Sequence, residues 1–288
     1  MSDLHIVDVF AREKYAGNQL AVVESDGNIS REEMQAIAAE MNFSETTFVE
    51  TRKSPYRVRI FTPEAEIPFA GHPTLGTAHI IREHVADGRP DEVVVDLDVG
   101  EVPVEVHDRD GAETLWMTQQ PPEFGERLDH DRLAAVLGLD ETALDEAWPV
   151  QVVSTGLPTI VVPLVDRETL TAIDVDRAAY DGVTGDREAK NVLAFCPDPR
   201  SEDNDFAVRV FAPFYGVPED PATGSSNGCL AGYLARHADG GGTVEARVEQ
   251  GYEMGRPSLL HLAASDESEA VHVEIGGSVV PVARGELL

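Results

Sequence analysis

The chain repeats part of itself, and the repeat limits what it can fold into. Arg59-Ile60-Phe61-Thr62-Pro63 returns as Arg209-Val210-Phe211-Ala212-Pro213, 150 residues later. Pro68 returns as Pro218 at the same spacing. After three added residues, Gly71, Ala78 and His84 return as Gly224, Ala231 and His237, at a spacing of 153. Each copy therefore reads as a strand, a proline-punctuated loop, a glycine and then a helix. Both helices are rich in small residues: Gly76, Thr77 and Ala78 in the first, Gly228, Cys229, Ala231 and Gly232 in the second. Small residues let a backbone come close to its neighbours, so each copy is expected to wrap strands around a tightly held helix. The flanking segments are strand-rich without regular β-α alternation, which predicts an α+β fold of two pseudo-symmetric β-rolls, each around a central helix.

Length and composition fit that reading. The chain has 288 residues, enough for one large domain or two medium ones, and 42% hydrophobic residues, as expected for a globular protein. The expected division is a first domain over 1–118, possibly joined by a C-terminal strand at 279–288, a linker at 119–128 and a second domain over 129–278. A helix is expected from about Thr74 to His84. Ser30-Arg31-Glu32-Glu33 forms a capping box at the start of another. A third helix is predicted near Asp131–Leu137, and a fourth begins after Gly224.

Asp and Glu number 53 against 22 Lys and Arg, for a formal charge of −31. Such a surface repels nucleic acid and anionic membranes. The acids are scattered and only three residues are lysines, as in proteins adapted to high salt. The absence of a basic, apolar leader and of any span-length apolar run predicts a cytoplasmic protein with no membrane partner. Two cysteines, Cys196 and Cys229, exclude a disulfide framework and a multi-cysteine metal site. The histidines show no ligand spacing, and neither a phosphate loop nor a dinucleotide fingerprint occurs, so no metal and no cofactor are expected.

Pro218 to Gly228 reads PEDPATGSSNG and contains a G-x-S-x-G match at Gly224–Gly228. A nucleophilic serine of that type needs a strand running straight into it. Pro218, Asp220-Pro221 and Ala222 precede Ser226 without an evident strand, so Ser226 reads as a helix-start residue. A helix start presents unpaired N–H groups and a partial positive charge, and binds anions without basic side chains. Two such starts in a duplicated pair point to a small carboxylate substrate. Glu45, in NFSETTFVE, stands just before a strand. A possible second-half counterpart, STGLPTIVV, aligns Thr159 with Thr47 and sets Leu157 where the first half has Glu45. An acid in one copy alone suits a single proton-transferring group. His72 directly follows Gly71 and Asp220 lies four residues before Gly224, so both are expected near the site.

These motifs resemble the phenazine-biosynthesis PhzF-like isomerases, relatives of diaminopimelate epimerase. The resemblance is carried by VDVFAREKYAGNQLAVV (7–23), NFSETTFV (42–49), RIFTPEAEIPFAGHPTLGTAHII (59–81), RVFAPFYGVPEDPATGSSNGCLAGYLA (209–235) and QGYEMGRPSLL (250–260). It implies the diaminopimelate epimerase-like fold with the site between the domains, proton shuttling on a small carboxylate without a cofactor, and commonly a homodimer. The family's catalytic residues fall on Glu45, His72 and Asp220, and its helix-start donors on Gly71, Gly224 and Ser225. Asn18 and Ser44 are further candidate substrate contacts. The two cysteines of diaminopimelate epimerase fall on Ala70 and Thr223, so two-thiol epimerisation is not expected. The competing expectation is a binding protein that keeps the fold without the activity.

Overall fold

The computed structural model describes residues 2–25, 27–109, 112–237, 242–267 and 270–288. It divides into two compact units: Met1–Thr118 with Gly276–Leu288, and Gln119–Ile275.

The first unit runs β1 (Ser2–Val9), β2 (Asn18–Glu24), α1 (Arg31–Met41), β3 (Glu45–Val49), β4 (Tyr56–Phe61), β5 (Glu66–Ile67), α2 (Gly71–Ile80), β6 (Glu92–Leu97), β7 (Gly100–Arg109) and β8 (Ala112–Thr118). The second continues with β9 (Glu123–Arg127), α3 (His130–Leu137), β10 (Gln151–Ser154), β11 (Pro158–Pro163), α4 (Arg167–Thr171), α5 (Arg177–Thr184), β12 (Asn191–Cys196), β13 (Phe206–Ala212), β14 (Val217–Asp220), α6 (Gly224–His237), β15 (Val244–Gln250), β16 (Ser258–Glu267) and β17 (Ala270–Gly277). The chain then closes on the first unit with β18 (Val279–Leu287), antiparallel to β1.

The two units share a strand plan. In the first, β2 pairs parallel with β3, β3 antiparallel with β4, and β4 parallel with β6. In the second, β11 pairs parallel with β12, β12 antiparallel with β13, and β13 parallel with β15. Each set of strands surrounds one helix. All of α2 is buried except His79, and α6 is buried from Ser226 to Ala235. Glycines let neighbouring segments come close to these helices. A Cβ on Gly76 would lie 2.6 Å from Leu20 Cδ2 and 2.8 Å from Val9 Cγ2. On Gly228 it would collide with the side chain of Gln119, at 1.8 Å from Oε1. The glycine that completes the G-x-S-x-G match thus leaves room for the Gln119 side chain.

Several expectations are corrected. Residues 119–128 contain a strand rather than a linker: β9 pairs antiparallel with β10, and proline-rich flanks had masked a run too polar to look like a strand. The second unit begins at Gln119 and ends at Ile275, rather than spanning 129–278. The first central helix starts at Gly71, with Pro73 tolerated in its first turn, and after Ile80 it widens over Ile81–Val85. Helices α4 and α5 are not among the expected helices; each is opened by an aspartate, Asp166 bonding the N–H of Thr169 and Asp176 that of Ala179. A short strand, β14, does precede the PATGSS turn, and Pro221-Ala222-Thr223 separate it from α6.

Candidate active site

In the first unit, the candidate residues meet where β2, β3 and α2 begin. Thr47 of β3 bonds Thr77 of α2, Oγ1 to Oγ1, at 2.7 Å. Alternate strand residues share a face, so Glu45 faces α2 as Thr47 does. Two strand residues advance about 6.6 Å and five helix residues about 7.5 Å, which carries the contact from Thr77 back to His72. Glu45 Oε2 lies 3.4 Å from His72 Nε2. On the far side of the ring, His72 Nδ1 lies 3.3 Å from the side-chain nitrogen of Asn18, and the imidazole donates to the backbone of Gln19.

The electrostatics of this trio are set by burial. Asn18 and His72 are buried, at 2% and 6% exposure, while the Glu45 side chain keeps 16%. Burial lowers the His72 pKa to about 3, outweighing the hydrogen bond to Gln19. The imidazole is therefore neutral at pH 7, even beside a carboxylate. Gly71 is buried at the start of α2, and Ala70 at its N-cap gives no side-chain capping bond to that first turn. Ser44 lies half-buried just before β3.

In the second unit, Asp220 ends β14 and accepts a hydrogen bond on Oδ2 from Thr223 Oγ1. Gly224 and Ser225 follow as the first residues of α6. Ser226 is fully buried and bonds Thr159 Oγ1 at 3.1 Å and Asn191 Nδ2 at 3.2 Å. Those bonds make it part of the core and not an exposed nucleophile.

The strand plan corrects the counterpart of Glu45. Phe61 of β4 faces Thr46, and its repeat Phe211 of β13 faces Val192. The residue before Thr46 is Glu45, and the residue before Val192 is Asn191. Asn191, and not Leu157, therefore holds the position of Glu45 in the second unit. Thr159 lies on β11, which plays the part of β2: it pairs with Asn191 as Leu20 pairs with Glu45. The sequence alignment with Thr47 slipped by one strand because the second unit crosses from β11 to β12 through two unpredicted helices where the first uses α1 alone.

Burial raises the pKa of both cysteines, Cys196 to about 11, which leaves them as thiols. His5 and Glu24 form a further buried pair at 2.9 Å, with Asp3 close by. Arg52 and Arg284 bind the two carboxylates, so these residues form an ion-pair network. Among the described residues, no helix is long and apolar enough to cross a membrane.

The fold agrees with the comparisons. The family model described as phenazine biosynthesis-like protein, PhzC-PhzF, matches residues 7–285, and the chain belongs to that family. It is an isomerase. An uncharacterized isomerase of Mesorhizobium japonicum is 34% identical over 294 residues, covering 98% of this chain and 97% of that protein. The trans-2,3-dihydro-3-hydroxyanthranilate isomerase of Pseudomonas aeruginosa is 35% identical over 291 residues, covering 97% of each. The crystal structure of a phenazine biosynthesis protein of the PhzF family from Bacillus anthracis superposes with a TM-score of 0.91 at 26% identity, covering 100% of this chain and 99% of that one.

Proposed function

We propose that this isomerase moves a proton between two carbons of a small carboxylate substrate, with Glu45 as the acid and base and with no cofactor. The observation that carries the reading is the contact of Glu45 with a neutral, buried His72 at 3.4 Å. A neutral imidazole holds one N–H. With that hydrogen given to the Gln19 backbone, Nε2 offers a lone pair to Glu45, and the two groups can hold one proton between them. Glu45 takes a proton from substrate carbon as a carboxylate, the electron pair moves onto the conjugated carboxylate, and the acid so formed returns the proton at another carbon. Helix-start N–H groups at Gly71, Gly224 and Ser225 favour the anion as charge develops. Asn18 and Ser44 complete the first unit's contacts.

The participation of Asp220, Gly224 and Ser225 on the same substrate is supported by the family resemblance and the sequence repeat. The same resemblance supports a homodimer, and the charge of −31 supports a cytosolic setting at high salt. The named activity of the Pseudomonas relatives makes trans-2,3-dihydro-3-hydroxyanthranilate the first substrate to try. Glu45→Gln is expected to fold and to lose about a thousandfold in turnover on any substrate the wild type accepts. Turnover within twofold of wild type would refute the assignment.

A further inference from the structure

The QGYEMGRPS segment, 250–258, is not used by the chemistry above, yet it surrounds the turn that carries Asp220. Gln250 is 1% exposed and spends all of its amide on that turn. Its Oε1 accepts from the Thr223 N–H at 3.2 Å and from Asn227 Nδ2 at 2.8 Å. Its Nε2 donates to the Asp220 carbonyl at 2.7 Å and to Thr223 Oγ1 at 3.1 Å. Further along, Ser258 Oγ shares its one hydrogen between the carbonyls of Pro221 at 2.9 Å and Arg256 at 3.0 Å. Gly251 sits at φ +77°, where a Cβ would lie 2.5 Å from the Pro221 carbonyl oxygen, so the segment closes on the turn only with glycine there.

The amide cannot be turned over. A backbone N–H must meet its oxygen and a backbone carbonyl must meet its nitrogen. The direction of every other bond in the chain follows. Thr223 Oγ1 receives the Gln250 N–H, so its own hydrogen is committed to Asp220 Oδ2. We propose that Gln250 is a positioning residue: it locks the Thr223 hydroxyl as a one-way donor to Asp220, and so fixes the rotamer and the charged form of that carboxylate at the entrance of α6. The importance of this for turnover rests on the reading of Asp220 as part of the catalytic machinery; the hydrogen-bond relay itself does not.

The test uses full-length protein labelled with carbon-13 at aspartate carboxyls, with the Asp220 signal identified by its loss in Asp220→Asn. Its titration midpoint is followed in wild type, Thr223→Val, Thr223→Ser and Gln250→Leu. A carboxylate that loses a hydrogen-bond donor becomes harder to ionise. Thr223→Val is expected to raise the midpoint by about one pH unit. Gln250→Leu is expected to raise it in the same direction by less, and Thr223→Ser to restore wild-type behaviour. An unshifted midpoint in either Thr223→Val or Gln250→Leu would overturn the relay. Should Gln250→Leu fail to fold, the near-isosteric Gln250→Met is read in its place. The catalytic reading is tested separately with trans-2,3-dihydro-3-hydroxyanthranilate. If Asp220 takes part, Asp220→Asn lowers kcat, and Gln250→Leu lowers kcat with KM within about twofold. A shifted midpoint with unchanged kcat in Asp220→Asn would keep the relay and remove Asp220 from catalysis.

Discussion

The two units place different chemistry on the same strand plan. At the first residue of β3, the first unit has Glu45, half-buried and facing a neutral histidine. At the first residue of β12, the second unit has Asn191, 3% exposed and bonded to Ser226. The amide ties strand to helix with no charge to desolvate. The carboxylate keeps partial access to water and a proton partner. One atom in the side chain, an oxygen in place of a nitrogen, plus one methylene, separates a core tie from the proposed acid and base. The paired arginines show the same divergence in milder form. Arg59 grips Glu66 with Nε and Nη2, and Arg209 grips Glu219 in the same way. Each also lies over the phenylalanine two residues on, at 5.3 and 5.0 Å. Only Arg209 is buried, and only it reaches the carbonyls of Leu170 and Ile173.

The sharpest way to break this comparison is to make the units alike. Glu45→Asn gives the first unit the residue of the second and is expected to lower turnover about a thousandfold with the fold intact. A charge-only change in the second unit, Asn191→Asp, puts an acid among buried hydroxyls and is expected to leave turnover in place while costing about 2 kcal/mol in urea unfolding. Stability separates the arginines next. Arg209→Leu strips the partner from Glu219 in a buried site and is expected to cost about 3 kcal/mol. Arg59→Leu breaks a pair nearer to solvent and is expected to cost about 1 kcal/mol. Equal losses would show that the two clamps are energetically the same.

His72 gives a smaller effect with a defined sign. Its folded pKa of about 3 lies below the unfolded value of 6.5, so between those limits the unfolded chain binds more protons. Its contribution is fully present above about pH 6.5 and is lost as pH falls toward 3. Unfolding measured at pH 7.5 and 4.5 is expected to show about 2 kcal/mol less acid destabilisation in His72→Gln than in wild type. An unchanged difference would mean that His72 is charged in the folded protein.

Much of this plan is legible in the sequence because the repeat marks positions that packing constrains. Arg59 and Arg209, the proline loops and the glycine-started helices recur because the same strand pair and central helix recur. Ser30 is readable as a cap because the bond to the Glu33 N–H is local. What is not legible depends on register. The identity of Glu45's counterpart rests on which strand lies beside which, and the insertion of α4 and α5 hides it. Strand β9, EFGER, is too polar to announce itself and is recognised only by its pairing with β10. Gln250 gives no local signal, since its partners lie 23 to 30 residues away. The G-x-S-x-G match misleads for the same reason: Ser226 is disarmed by Thr159 and Asn191 from distant strands.

The most direct measurement follows deuterium from heavy water into carbon. Wild type and Glu45→Gln are incubated with trans-2,3-dihydro-3-hydroxyanthranilate and a panel of small amino and hydroxy acids, and carbon-bound deuterium is read by mass spectrometry. Proton transfer through Glu45 predicts incorporation by wild type, with at least a hundredfold slower incorporation by the variant. Incorporation at equal rates by the two proteins would contradict the assignment of Glu45 as the acid and base.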